Sequence, residues 1–154
     1  MLIIKKSGKI PHIVLADDKP EECMHFMNVL DRLDIQHIFS LAENGAMLLH
    51  MLDENEFLPD IIFINLDMKG ISGKNCLVAI RSCKRLDNVP VIVYSKSANS
   101  YDINDFYNAN ANLCVGKSDF ELTLNCLLLT VFKMSSTNLI PVQKGELLQN
   151  ICLS

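Results

Sequence analysis

The stretch His12-Ile-Val-Leu-Ala-Asp-Asp18 joins a run of apolar residues directly to two adjacent carboxylates. Two further apolar runs of this kind are Ile61-Ile-Phe-Ile-Asn65 and Val91-Ile-Val-Tyr94. Near-continuous apolar runs of this length are typical of strands that are buried on both faces of a parallel sheet. The three runs therefore predict the centre of such a sheet, with polar residues where the strands end.

Segments of helical period separate these strands along the chain. Weaker strands fit residues 36–41 and 112–115, and the predicted helices cover residues 20–33, 46–55, 74–85, 101–109 and 120–134. Strands that alternate with helices, joined by right-handed crossovers, form an open parallel sheet with helices on both faces. The sequence thus predicts a three-layer α/β domain, a doubly wound five-stranded parallel sheet.

Composition narrows the function classes. The chain has 154 residues, 49% of them hydrophobic, which is enough for the core of one compact domain. Its net charge of -4 argues against nucleic acid as a partner. The longest apolar segment, residues 122–132, is too short to cross a membrane, and residues 1–4 are too few for a secretory signal. We expect a cytoplasmic domain over residues 10–134, an amino-terminal extension at 1–9 and a tail at 135–154.

The six cysteines form no CxxC pair and have no histidine at a zinc-like spacing. We therefore expect reduced thiols that pack in the core, and neither a metal nor a redox role.

Polar residues follow the predicted strands. If the sheet order is 2-1-3-4-5, the strands that end in these residues are neighbours, and their carboxyl ends meet at one edge. The residues are Asp17, Asp18, Asn65, Asp67, Ser95 and Lys117. The two adjacent carboxylates have two interpretations: a turn with an N-cap for the next helix, or a site for a hard cation such as Mg²⁺.

Several motifs in order resemble the receiver domains of two-component response regulators. Ile13-Val-Leu-Ala-Asp-Asp-Lys-Pro-Glu21 is similar to the first strand and acidic pair of that family, and Ala42-Glu-Asn-Gly45 to its turn into the second helix. Residues 59–73 are similar to its phosphorylation segment, and 89–95 to the strand that ends in Ser or Thr. The resemblance covers about residues 10–134 and implies the CheY-like fold.

The resemblance also implies roles for the residues at the sheet edge. In the family, the acidic pair and a backbone carbonyl hold Mg²⁺, a hydroxyl senses the phosphoryl group and a lysine pairs with its oxygens. These roles fall on Asp17 and Asp18, the Asp67 carbonyl, Ser95 and Lys117. The position of the phosphoaccepting aspartate is occupied by Asn65.

The asparagine is the departure with the largest chemical consequence. A neutral carboxamide lacks the anionic oxygen with which an aspartate attacks phosphorus, so we expect no ordinary phosphorylation at Asn65. Its oxygen carries less charge than a carboxylate, so Mg²⁺ binding should be weakened rather than abolished. Cys114 stands at the aromatic switch position, and Lys69 and Ser118 replace prolines that the family generally has. A small thiol cannot perform the inward and outward swing of the aromatic switch residue.

These observations predict a binding module and not an enzyme: a stand-alone, degenerate receiver that acts as a phosphorylation-independent adaptor. Its partners would be a sensor histidine kinase or a downstream signalling protein, with a homodimer formed through residues 100–134. The alternative is an orthodox phospho-switched regulator that uses Asp67 or another acceptor. A Mg²⁺-dependent phosphatase with an Asp-x-Asp motif is disfavoured because Asn65 replaces its nucleophile. A flavodoxin-like carrier is disfavoured because Asp17 and Asp18 would repel the FMN phosphate.

Overall fold

A computed structural model describes residues 10–33, 36–54, 58–95 and 108–116. Five strands form one parallel sheet in the order β2-β1-β3-β4-β5, as predicted. The strands are β1 (His12–Ala16), β2 (Ile38–Ala42), β3 (Ile61–Asn65), β4 (Val91–Ser95) and β5 (Leu113–Gly116). The helices are α1 (Pro20–Arg32), α2 (Gly45–Glu54) and α3 (Gly73–Arg81), followed by a short 3₁₀ helix (Lys84–Leu86).

Alternate residues of the central strands enter two separate cores. On one face, Ile13 and Leu15 of β1 pack in a cluster with Phe26 of α1. On the other face, Val14 lies in a cluster with Leu48 of α2 and Leu77, Ile80 and Cys76 of α3. Helices therefore cover both faces of the sheet, which is the predicted doubly wound arrangement.

The end of α3 differs from the prediction of a continuous helix over 74–85. The helix ends at Arg81, and Cys83 adopts an extended conformation before the separate 3₁₀ turn. The hydroxyl of Ser82 donates to the Val78 carbonyl at 2.8 Å, and Leu86 is buried after the break. The apolar spacing of this segment thus reflects two short elements that both contact the core.

Arg81 fastens α3 to the segments that lead into β4 and β5. Its guanidinium donates to the carbonyls of Leu86 and Val89 at 3.0 and 2.9 Å. It also donates to the Asn110 carbonyl and to Asn112 Oδ1, both at 2.8 Å. This side chain therefore joins one helix to the starts of two strands.

Four cysteines lie in the described ranges, where all are free thiols; Cys23 and Cys76 are buried. Burial raises the pKa of Cys23 to about 11, so this thiol is protonated at neutral pH. Among the described residues, none of the helices has the length and apolar character to span a membrane. The predicted helix 120–134, most of the predicted helix 101–109, Lys117 and both terminal segments lie outside the described residues.

Candidate functional site

The carboxyl ends of β1, β3 and β4 bring five predicted site residues to one edge of the sheet. β1 leads directly into Asp17 and Asp18, β3 ends in Asn65, two residues before Asp67, and β4 ends in Ser95. Hydrogen bonds connect Asn65 to Asp17 and Ser95 to Asp67. Lys117, the sixth predicted residue, lies outside the described ranges.

Asp17 is the most enclosed carboxylate of the site, with 1% of its surface exposed. Its Oδ1 accepts from Asn65 Nδ2 and from the Lys19 backbone N–H, both at 3.0 Å. Its Oδ2 accepts from the hydroxyl of Tyr94 at 2.5 Å. Burial raises the pKa of Asp17, although these hydrogen bonds act in the opposite direction.

Asn65 is fully buried, and its amide has one defined orientation. Nδ2 donates to Asp17 Oδ1, and Oδ1 accepts from the Asp67 backbone N–H at 3.0 Å. A reversed amide would place an oxygen against the carboxylate of Asp17 and an NH₂ group against the N–H of Asp67. Both contacts would then be repulsive, so the two neighbours fix the NH₂ group toward Asp17.

Asp18 binds the loop that follows β3. Its Oδ2 accepts from the Lys69 backbone N–H at 2.9 Å. Its Oδ1 is buried, meets no hydrogen-bond donor in the described part of the chain, and lies 3.6 Å from the ammonium of Lys19. A buried carboxylate oxygen without a donor is a suitable ligand for a cation.

The capping interpretation of the acidic pair is wrong. The N-cap of α1 is Lys19, whose side chain makes no capping bond, and Pro20 begins the helix. Asp17 accepts instead from the Lys19 N–H, a hydrogen bond typical of an Asx turn. The turn that the sequence suggested is present, but it precedes the helix and does not cap it.

Ser95 is buried and bonded to Asp67. Its hydroxyl lies 3.1 Å from Oδ1 and 3.2 Å from Oδ2 of Asp67, within hydrogen-bond distance of both carboxylate oxygens. The Asp67 carboxylate therefore accepts a hydrogen bond from the Ser95 hydroxyl, the group to which the family resemblance assigns phosphoryl sensing.

The start of α3 packs closely against the end of β3, next to the site. A side chain on Gly73 would put its Cβ 2.7 Å from the Asn65 carbonyl oxygen and 2.7 Å from Leu66 Cα. The loop before it turns at Gly70 with a φ of 77°, and Ser72 caps α3 by accepting from the Asn75 N–H. Glycine at position 73 lets the helix begin directly against the end of β3.

Tyr94 is a site residue that the sequence analysis did not identify. It lies in β4 with 1% of its surface exposed, and its hydroxyl reaches Asp17 from the face of the sheet that α1 covers. Burial and the nearby charge of Asp17 raise the pKa of Tyr94, so the hydroxyl remains a donor. The available signal was a tyrosine within an aliphatic strand, because a buried phenol requires a hydrogen-bond partner.

Cys114, at the predicted switch position, is half-buried in β5 and packs against the core beneath α2 and α3. Burial raises the pKa of its thiol.

The site fits Mg²⁺ only in part. Asp18 offers an oxygen without a donor, whereas both oxygens of Asp17 already accept hydrogen bonds from within the protein. Within the described ranges, no three histidine, cysteine or acidic side chains are grouped so that they could hold a metal ion. Asp18 therefore remains available as a metal ligand, whereas Asp17 already accepts hydrogen bonds with both oxygens.

Several solved structures with the same fold are response regulators. The phosphorylated cyanobacterial phytochrome response regulator RcpA is 22% identical and has a TM-score of 0.73, with 86% of this chain and 98% of that chain covered. The Mn²⁺-bound form of response regulator Rcp1 is 20% identical, with a TM-score of 0.72 and coverage of 85% and 98%. The chemotaxis response regulator CheY4 of Vibrio cholerae is 16% identical, with a TM-score of 0.69 and coverage of 80% and 99%.

The sequence comparisons agree with the fold. The response regulator Rcp1 of Synechocystis sp. is 25% identical over 111 residues, which are 69% of this chain and 76% of that relative. The family description "Response regulator receiver domain" matches residues 13–125. The strand order, the acidic pair after β1 and this match over most of the chain lead to one conclusion: the chain belongs to the response regulator receiver domain family of two-component signalling.

Proposed function

We propose that this receiver domain acts as a protein-interaction adaptor and is not switched by phosphorylation at the usual position. The observation that carries the proposal is the buried amide of Asn65, whose NH₂ group donates to Asp17. Receiver domains generally interact with histidine kinases. For this chain we propose a sensor histidine kinase or a downstream signalling protein as the partner, and no catalytic activity of its own.

The chemistry at Asn65 supports this function. Phosphorylation of a receiver requires an anionic carboxylate oxygen that attacks phosphorus while the bond to the leaving group of the donor breaks. The nitrogen lone pair of an amide is delocalised, and the Asn65 oxygen accepts from the Asp67 N–H. Neither atom is therefore an effective nucleophile for an incoming phosphoryl group.

Mg²⁺ binding is part of the same proposal. Asp18, Asp17 and the backbone carbonyl of Asp67 are the groups that would hold the ion. When bound, it would neutralise the negative charge that accumulates at this edge of the sheet. Weak binding is expected, because Asn65 contributes a neutral NH₂ group where the family has a carboxylate and because Asp17 is already hydrogen-bonded.

A second candidate function is phospho-switching through Asp67. The specific observation in its favour is the contact of the Asp67 carboxylate with Ser95, since Ser95 is the predicted phosphoryl-sensing hydroxyl. Asp67 is partly exposed, so a small phosphodonor could reach it. The two candidates differ in one measurable result, which is whether the wild-type protein gains a phosphoryl group.

The test is incubation of the protein with Mg²⁺ and acetyl phosphate, followed by intact-mass spectrometry with and without hydroxylamine, which cleaves acyl phosphates. We expect no hydroxylamine-sensitive adduct on the wild type and an adduct on Asn65→Asp. A stable adduct on the wild type that maps to Asp67 would refute the adaptor function and establish the second candidate.

A pull-down from native lysate tests the partner side. A constant adaptor has one binding state, so the set of captured proteins should be the same with and without Mg²⁺ and acetyl phosphate. A captured set that changes when the phosphodonor is added would contradict the proposal.

We also propose that residues 100–134 mediate a homodimer or a partner contact; of this segment the structure describes residues 108–116.

A further inference from the structure

We propose that Tyr94 is a specificity-determining residue of this site, which together with Asn65 weakens the binding of a divalent cation to Asp17. This inference rests on the proposed function, because it names the residues that make Mg²⁺ binding weak. Hydrogen-bond donors of the protein would then stabilise the charge of Asp17 in place of the cation.

The geometry around Asp17 carries the first step. One oxygen accepts from Asn65 Nδ2 and the Lys19 N–H, and the other accepts from the Tyr94 hydroxyl. Each donor presents the positive end of an N–H or O–H dipole to the carboxylate, as a cation would. A divalent ion that binds Asp17 must either displace a donor or use the remaining lone pair of Oδ2, and in both cases it meets the positive ends of these dipoles.

The packing of Tyr94 carries the second step. The side chain is almost fully buried in the cluster that contains Phe26 and Phe63, so its ring can leave Asp17 only by disrupting that packing. Rotation of the hydroxyl alone would leave a buried donor without its acceptor, which is unfavourable. The hydrogen bond to Asp17 is therefore more costly to break than one made by an exposed tyrosine.

Asp18 provides the contrast. In the described part of the chain, Asp18 pairs with the ammonium of Lys19 at 3.6 Å, and the Lys19 side chain is 37% exposed. An exposed lysine can move away into water at little cost. Asp18 is thus accessible to an ion, and Asp17 is the carboxylate whose internal hydrogen bonds make ion binding weak.

This arrangement makes a prediction that Asn65 alone does not. Asn65→Asp supplies the missing carboxylate but leaves the Tyr94 hydroxyl on Asp17, so Mg²⁺ affinity should be recovered only in part. Asn65→Asp combined with Tyr94→Phe removes both side-chain donors, leaves the Lys19 backbone N–H in place and keeps the ring that fills the core.

The experiment is a calorimetric titration with Mg²⁺ of four full-length proteins: wild type, Asn65→Asp, Tyr94→Phe and the double variant. We expect the double variant to bind at least about tenfold more tightly than Asn65→Asp, which corresponds to about 1.4 kcal/mol. Lys84→Gln, which removes an exposed lysine of the 3₁₀ helix, is the control and should bind as the wild type does. If the double variant does not fold, Tyr94→Phe alone is compared with the wild type, and tighter Mg²⁺ binding by Tyr94→Phe is expected.

Equal Mg²⁺ affinities for Asn65→Asp and the double variant would overturn the inference, as would wild-type affinity equal to that of the double variant. These results are distinct from failure of the adaptor function. A phosphoryl adduct on the wild type would refute the adaptor function whatever the effect of Tyr94→Phe on Mg²⁺ affinity.

Discussion

Asn65→Asp should strongly destabilise the protein at neutral pH in the absence of Mg²⁺. The substitution removes the donor that satisfies Asp17 and places a carboxylate oxygen where Nδ2 lies, 3.0 Å from Asp17 Oδ1. A hydrogen bond to a charged group contributes about 1.5–3 kcal/mol, and the new contact adds repulsion between two buried carboxylates. We therefore expect the free energy of unfolding to fall by at least about 3 kcal/mol.

The loss should depend on pH. Two carboxylates in one buried site raise the pKa of the pair in the folded state above its value in the unfolded chain. The folded variant then binds more protons than the unfolded chain, so its stability falls as pH rises from the unfolded pKa through the folded pKa. The difference from the wild type should be smallest in acid and largest at neutral pH. Mg²⁺ should recover part of it at pH 7, because a ligand that binds only the folded state stabilises that state.

Urea unfolding followed by circular dichroism, in EDTA and in Mg²⁺ at two pH values, measures these effects. Asn75→Asp makes the same chemical change at an exposed position in the first turn of α3. This control should be neutral or slightly stabilising, because a negative charge is favourable at a helix N-terminus. An Asn65→Asp protein as stable as the wild type in EDTA at pH 7 would refute the reasoning.

Two further substitutions test other parts of the molecule. Arg81→Ala should lower the free energy of unfolding by about 3 kcal/mol, because it deprives several carbonyl and amide oxygens of a charged donor. Lys84→Ala, an exposed change one turn away, should have little effect in the same thermal melt, and equal losses would refute a special role for Arg81. Light scattering tests the proposed association: the wild type should be a dimer or bound to a partner, and Phe132→Glu should weaken that association. A wild type that stays monomeric at high concentration, with a Phe132→Glu variant that captures the same partners, would exclude this surface.

The sheet could be predicted from the sequence because its central strands are buried on both faces. The apolar runs in β1 and β3 are continuous, which is typical of buried strands, and the bounds of both strands are confirmed. The end of α3 could not be found in this way. It depends on the extended conformation of Cys83 and the burial of Leu86, whereas the apolar spacing of the segment also fits a longer helix.

The site could be predicted as a set of residues but not as a network. The strand order alone brings Asp17, Asn65 and Ser95 to one edge. The partner of each polar atom depends on side-chain reach across strands, which a linear pattern does not contain. The contact between Tyr94 and Asp17 joins residues 77 positions apart, and only the pairing of β3 with β4 and of β1 with β3 makes it possible.

The Arg81 contacts give the two ends of the sheet different sensitivities to solution conditions. The amino ends of β4 and β5 are joined to α3 by a guanidinium that stays protonated at any physiological pH. The carboxyl ends of β1 and β3 are joined at Asp17, whose pKa is raised by burial, so the folded protein takes up a proton there more readily than the unfolded chain does. Mild acidification should therefore change the charge at this end without a loss of stability through Asp17, while the Arg81 contacts at the amino ends stay the same. The sheet thus has one end whose charge depends on pH and one end whose charge does not, and the candidate site lies at the first.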